Sequence, residues 1–294
     1  MPRLDKTYLA YYLYRLGGGV VPRLPARLGY ALCGLAAALA WQFGREARNQ
    51  VQQNLRHVLG NGCDAADLAR LSKATFRYLT YNYFDLFRLP HLSDEEVQRM
   101  VRVEGWEHIE AALAEGRGLV MTSAHFGNIE IVLYALLLRG LSITIPVERV
   151  EPPELFDYIS GLRMSKGLRL IPIDGPLLEM YRVLKRGQIV GVAGDRDITN
   201  SGATARFFGA PARLPDGHLR LALRTGAPLV LGFSQRLPDF TYQARFWPPY
   251  HLPTAGDQDE RLAAGMRYIV QALETAIRAA PEQWVMTAPI WVED

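Results

Sequence analysis

The chain has 294 residues, 49% of them hydrophobic and 21% charged, with a formal net charge of +3. That length permits one large α/β domain or two modest ones, and the composition excludes a disordered, collagenous or low-complexity chain. Two cysteines, Cys33 and Cys63, without C-x-x-C spacing exclude a disulfide framework and a zinc ribbon, and they fit a reducing compartment.

Charge is unevenly placed. In the first 60 residues, eight cations (Arg3, Lys6, Arg15, Arg23, Arg27, Arg45, Arg48, Arg56) stand against Asp5 and Glu46, a local balance of +6, so the remainder is slightly acidic. A basic N-terminus of this kind suits an anionic partner, nucleic acid or membrane. "YLAYYLYRL", residues 8–16, carries four tyrosines, whose apolar rings and wet hydroxyls suit a membrane interface. Between Arg27 and Arg45 lie 17 uncharged residues. As a helix they would span about 26 Å at ~1.5 Å per residue, short of the ~30 Å of a bilayer core. No cleavage-like site follows, so a signal peptide does not fit. Three readings stay open for residues 1–44: a monotopic anchor lying on or dipping into one leaflet, which is the one expected, an ordinary buried helix, or a true span.

Apolar spacing predicts helices over 46–59 and 64–89, the second with Asp64 and Asp67 at its start and Pro90 behind it. "SDEEVQRM" opens as a capping box, Ser93 with Glu96. "VRVEG" reads as a short strand and "WEHIEAALAEGRG" as a helix stopped at Gly116. Strand and helix then alternate: "GLVMTSA", "NIEIVLYALLLRG", "LSITIPVER", "PPELFDYISGLRMSKG", "LRLIPI", "PLLEMYRVLKRG", "QIVGVAGDRD". After them come "ATARFFGAPARLP" as strand and loop, helix "DGHLRLALRTG", strands "APLVLGFSQRL" and "FTYQARFWPPY", and a long helix over 258–280. This rhythm predicts an α/β fold with a mostly parallel twisted sheet flanked by helices. No Pro/Gly/Ser linker divides the body, so residues 45–294 are expected to form one domain behind a helical extension at 1–44.

Strand "GLVMTSA" should end where His125 begins, with a helix starting near Gly127 or Asn128. Functional groups of open α/β sheets collect there. Gly127, lacking a side chain, would let His125 and Glu130 approach, so the pair reads as a base and its orienting acid. No Ser or Cys stands in a G-x-S-x-G frame, which leaves the substrate's own hydroxyl as nucleophile. A core histidine, with Glu130 serving the helix dipole, is the competing structural account. The helix after His125 offers backbone N–H groups for a developing oxyanion, which makes Gly127 and Asn128 substrate-binding candidates. "HIE" at 108–110 lacks the P-C-x-x-C of a zinc deaminase, and neither a P-loop nor G-x-G-x-x-G is present.

H-x4-E after a strand, then Arg163, then "GDRD" and "RFFGAPARLPDGHLRLALRTGAPLV", resembles the lipid A biosynthesis acyltransferase family, with its lauroyl, myristoyl and phosphatidylinositol mannoside acyltransferases, within the lysophospholipid acyltransferase superfamily. The likeness runs from about residue 45 to about 290. It implies a glycerol-phosphate-acyltransferase-like fold, His125 as catalytic base and Glu130 as charge-relay partner. It also implies substrate-binding roles for Glu148 and Arg149 at the next strand end, for Arg163 as a phosphate or headgroup clamp, and for Asp195, Arg196 and Asp197 in "GDRD". Asp195 and Asp197 read equally well as structural partners of Arg196 and Arg206. Arg196 and the "ITNSGATARFFG" after it look closer to the phosphatidylinositol mannoside type.

The expectation is a peripheral or monotopic acyltransferase on the cytoplasmic face of a membrane. It would move a fatty acyl group from acyl-CoA or acyl-carrier protein to a glycolipid or lysophospholipid hydroxyl. No metal or organic cofactor and no nucleic acid is expected. The alternatives are a thioesterase-type hydrolase and a non-enzymatic membrane-binding protein.

Overall fold

In the computed structural model, residues 6–175 and 177–292 are described. Arg3 and Asp5 of the basic N-terminus, and Pro176 at the head of an expected helix, lie outside them.

Four helices come first: α1 (Lys6–Val20), α2 (Ala26–Phe43), α3 (Arg45–Leu59) and α4 (Ala65–Arg88). α4 starts as the sequence dictates, the Asp64 carboxylate accepting the Asp67 N–H at 2.6 Å. α2 turns Tyr30, Cys33 and Ala37 inward and leaves Leu28, Leu32, Leu35 and Leu39 exposed. Both sets follow helical spacing on opposite faces. α1 likewise exposes Leu9, Tyr12, Leu13, Leu16 and Val20. It packs closely through Gly18, where a Cβ would stand 1.6 Å from the Tyr158 hydroxyl. No described helix is long and apolar enough to cross a membrane.

α5 (Asp94–Met100) opens on the expected capping box. The alternating body follows: β1 (Val101–Glu104), α6 (Trp106–Ala114), β2 (Leu119–Ser123), α7 (Ile129–Leu137), β3 (Ile143–Val147), α8 (Pro153–Met164), β4 (Arg169–Pro172), α9 (Leu177–Lys185) and β5 (Ile189–Ala193). Then come β6 (Ala203–Phe207), β7 (Ala210–Leu214), α10 (Gly217–Thr225), β8 (Leu229–Arg236), β9 (Tyr242–Phe246) and α11 (Gln258–Ala279).

Seven strands form one sheet in the order β1-β9-β8-β2-β5-β3-β4. Every neighbouring pair is parallel except β8–β9. "ATARFFGAPARLP", expected as strand and loop, is instead a separate antiparallel hairpin, β6–β7, turning at Phe208 and Gly209, both with positive φ.

β2 is buried along its whole length because helices cover both faces of the sheet. Its side chains alternate between two cores. Leu119 and Met121 pack with α7, while Val120 packs with α10, α11 and the β6–β7 hairpin. α7 is buried from Ile131 to Leu136, so it is held by packing more than by propensity. Truncating Leu136, fully buried in that helix, to Ala should lower stability by about 2–5 kcal/mol in urea unfolding. A cost under ~1 kcal/mol would mean that α7 is not seated as described.

Candidate active site

The site is built where β2 and β5 end side by side. Their register pairs Ser123 with Ala193, so two residues further on His125 stands opposite Asp195. The Asp195 carboxylate is fully buried and grips His125 twice. One oxygen accepts the His125 backbone N–H at 2.9 Å and the other lies 2.8 Å from ring Nδ1. Trp284 Nε1–H donates to Asp195 at 2.8 Å. With Nδ1–H donating to Asp195, the tautomer is set and Nε2 is left with its lone pair. The imidazole side chain is 40% exposed, so that nitrogen can meet a ligand.

The turn beyond His125 is clamped from three sides. Val285 N–H donates to the His125 carbonyl and Gly127 N–H to the Gln283 carbonyl, both at 2.9 Å. Asn82 Nδ2 donates to the Gly127 carbonyl at 2.6 Å. Gly127 has φ +61°, and a Cβ there would stand 1.7 Å from the Ser234 carbonyl oxygen. Glycine therefore serves the close approach of the turn to β8, not an approach of imidazole to Glu130.

Several expected roles are corrected. His125 and Glu130 do not pair. Glu130 is the second residue of α7, and its Oε1 accepts from Arg163 Nε and Nη2 at 2.7 and 2.6 Å. Arg163 is thus held by a carboxylate within the protein. Asn128, expected at substrate, is 1% exposed. It caps α7, its Oδ1 accepting the Glu130 and Ile131 N–H groups. Those two N–H groups, together with that of Gly127, are consequently spent and are not oxyanion donors. Asp195 is neither a substrate contact nor a partner of Arg196 or Arg206; it is the partner of His125.

Arg196 pairs with Glu148 at 2.9 Å, each about one-third exposed. Arg149 pairs with Asp174 on the surface. Asp197 organises its own loop through Thr199 and the Gly202 N–H. Asn82, Gln283 and Trp284 were not singled out by any motif. Among the described residues no group of three or more His, Cys, Asp or Glu side chains is placed to hold a metal ion.

Electrostatics follow the geometry. Burial opposes charge on His125, but the Asp195 charge and hydrogen bond outweigh it and hold the imidazole pKa above its usual value, with Arg196 and Arg163 pulling the other way. Burial would raise the Asp195 pKa, yet the His125 charge and hydrogen bond, with the Trp284 N–H, hold it below the usual carboxylate range. The site can therefore take a proton at Nε2 and stabilise the imidazolium that results.

A small apolar cavity of about 20 Å³, room for about one water, lies under α7, against the ends of β2 and β8. Ser123 and Ile129, on either side of the His125 turn, line it together with Leu133, Leu136, Phe233 and Phe246.

Comparison with known proteins gives the class: an acyltransferase of lipid and glycolipid biosynthesis. Residues 2–292 match the family described as bacterial lipid A biosynthesis acyltransferase, and the chain belongs to it. It is 29% identical to a Mycobacterium tuberculosis phosphatidylinositol mannoside acyltransferase over 83% of this chain and 77% of that one. It is 28% identical to the lipid A biosynthesis lauroyltransferase of Escherichia coli K12 over 97% and 94%. A 1-acyl-sn-glycerophosphate acyltransferase from Thermotoga maritima gives a looser likeness, with a TM-score of 0.40 at 16% identity over 86% of this chain and 96% of that one.

Asp195→Asn should lower the midpoint of the His125 ring titration followed by NMR, since it removes the interaction that raises it. Glu130→Gln should move that midpoint much less, because Glu130 makes no bond to the ring. Equal shifts from the two variants would contradict the pairing described.

Proposed function

We propose that the protein transfers a fatty acyl group from an acyl thioester, on coenzyme A or acyl-carrier protein, to a hydroxyl of a phosphorylated glycolipid at a membrane surface. His125 is the general base. The observation that carries this reading is the 2.8 Å contact between His125 Nδ1 and Asp195, which leaves Nε2 as a free and strengthened base.

Nε2 takes the proton of the acceptor hydroxyl as its oxygen attacks the thioester carbonyl. The tetrahedral intermediate collapses with loss of the thiolate, and the imidazolium returns its proton to that sulfur. Asp195 remains ionised and stabilises the imidazolium. The thioester is a co-substrate already activated, so no resident metal or organic cofactor enters these steps. Arg163 and Arg196, whose charges both act on the imidazole, supply positive potential for the oxyanion or for an acceptor phosphate.

The relatives are named for phosphatidylinositol mannoside and for lipid A, both phosphorylated glycolipids, which supports that acceptor class. Membrane seating rests on the exposed leucines of α1 and α2, bordered by exposed Arg15, Arg23, Arg27 and Arg45. Apolar side chains rimmed by cations suit an anionic lipid surface. Residues 1–44 would then act as the docking extension of the 45–294 body, on the cytoplasmic face where acyl thioesters are at hand.

Purified protein, radiolabelled acyl thioester and a phosphorylated glycolipid should yield acylated lipid, with His125→Ala slower by roughly 10²–10⁴-fold when assayed well below a melting temperature that the loss of a partner of buried Asp195 lowers. Acyl release to water that the acceptor does not suppress would instead indicate a thioesterase. A Leu13→Glu, Leu35→Glu double variant should bind anionic vesicles more weakly while remaining folded. Undiminished flotation with the vesicles would remove α1 and α2 from the docking surface.

A further inference from the structure

We propose that one face of α4 is the positioning element for the catalytic turn, with Asn82 and Asp85 setting where His125 stands. This rests on the reading of His125 as base. It assigns to that base a source of alignment outside the H-x4-E and GDRD segments.

Asn82 and Asp85 are three residues apart on a helix, so they share a face. The two consecutive residues they hold are Gly127 and Asn128. Asn82 Nδ2 donates to the Gly127 carbonyl at 2.6 Å. Because a carbonyl only accepts, the amide nitrogen must be the atom facing it, and the orientation of Asn82 follows from chemistry. Asp85, fully buried, accepts from Asn128 Nδ2 at 3.1 Å. It also accepts from Tyr30 Oη at 2.6 Å, from Tyr242 Oη and from Arg236 Nη2.

Fixing the Asn128 amide nitrogen on Asp85 turns its oxygen onto the Glu130 and Ile131 N–H groups, which starts α7. The turn that presents His125 is thereby held at its second and third following residues by a helix more than forty positions away in sequence. Neither Asn82 nor Asp85 bonds to His125, so they act through the backbone. Displacement of a reacting group by about 1 Å can cost on the order of 10²-fold in rate.

The test uses Asn82, because Asp85→Asn would leave Arg236 buried opposite a neutral partner and can fail to fold. Asn82→Asp keeps the shape but replaces the donor with a carboxylate that repels the Gly127 carbonyl; Asn82→Gln keeps a donor. On the full-length protein, well below its melting temperature, Asn82→Asp should lower kcat by roughly 10- to 100-fold. KM for the acyl thioester and for the glycolipid should stay within about twofold, and Asn82→Gln should recover part of kcat. Two outcomes overturn the inference: kcat unchanged in Asn82→Asp while His125→Ala is inactive, or kcat lost equally in the Asp and Gln variants in step with lost thermal stability. Wild-type transfer by His125→Ala would refute the base assignment itself, a result distinguishable from either.

Discussion

A carboxylate with no solvent exposure constrains much of this structure. Removing Asp195 from water costs several kcal/mol unless hydrogen-bond donors answer both of its oxygens. The answer is three donors from distant segments: the backbone and ring of His125, and the Trp284 indole. To supply them, β2 and β5 must be neighbours in one register, and the chain must return after α11 to lay Trp284 beside them. Gly194 belongs to the same constraint, since a Cβ there would stand 2.9 Å from Thr122 on the adjacent strand. Fold and site are in this sense a single arrangement: breaking the strand pairing would strand an anion in the core.

The same arrangement explains what could be read from the sequence. Helix and strand alternation from β2 to β5 was legible because buried strands and covering helices have distinct periods and lengths. The resemblance of the motif string to an acyltransferase family was legible as well, and the match over residues 2–292 agrees with it. The partner of His125 was not legible. Glu130 is five residues away in sequence, but α7 begins at Ile129 and carries that carboxylate across to Arg163 on α8. Asp195 is seventy residues away and becomes adjacent only once β5 is known to lie beside β2, which spacing does not reveal. Had that strand order been assumed, the two ends would have predicted the pair. Asn82 and Trp284 left no signal, since a single amide or indole finds its partner through tertiary contact and follows no local pattern.

Two arginine–glutamate pairs shape the behaviour of the imidazole that Asp195 holds. Arg163 and Arg196 disfavour the imidazolium, while Asp195 favours it more strongly. A general base is most effective when its pKa lies near the working pH, because a stronger base is also protonated more of the time. Burial and the two arginine charges temper the rise that Asp195 produces. The glutamates matter in the same balance. Glu130 and Glu148 partly neutralise the guanidiniums, and they limit how far the arginines counteract Asp195.

The two guanidiniums also differ from Asp195 in exposure, at 29% and 32% of their side chains. Water can screen them, and a ligand can reach them. In the proposed reaction an acceptor phosphate or a developing oxyanion would bring negative charge to those cations. Their opposition to the imidazolium would then weaken at the stage when His125 must carry the proton. The buried carboxylate fixes the ring and its tautomer, whereas in the proposed reaction the partly exposed cations would make its basicity respond to a bound anion. That division of labour follows from burial: a charge sealed from solvent and substrate acts as a constant, and one at the surface acts as a variable.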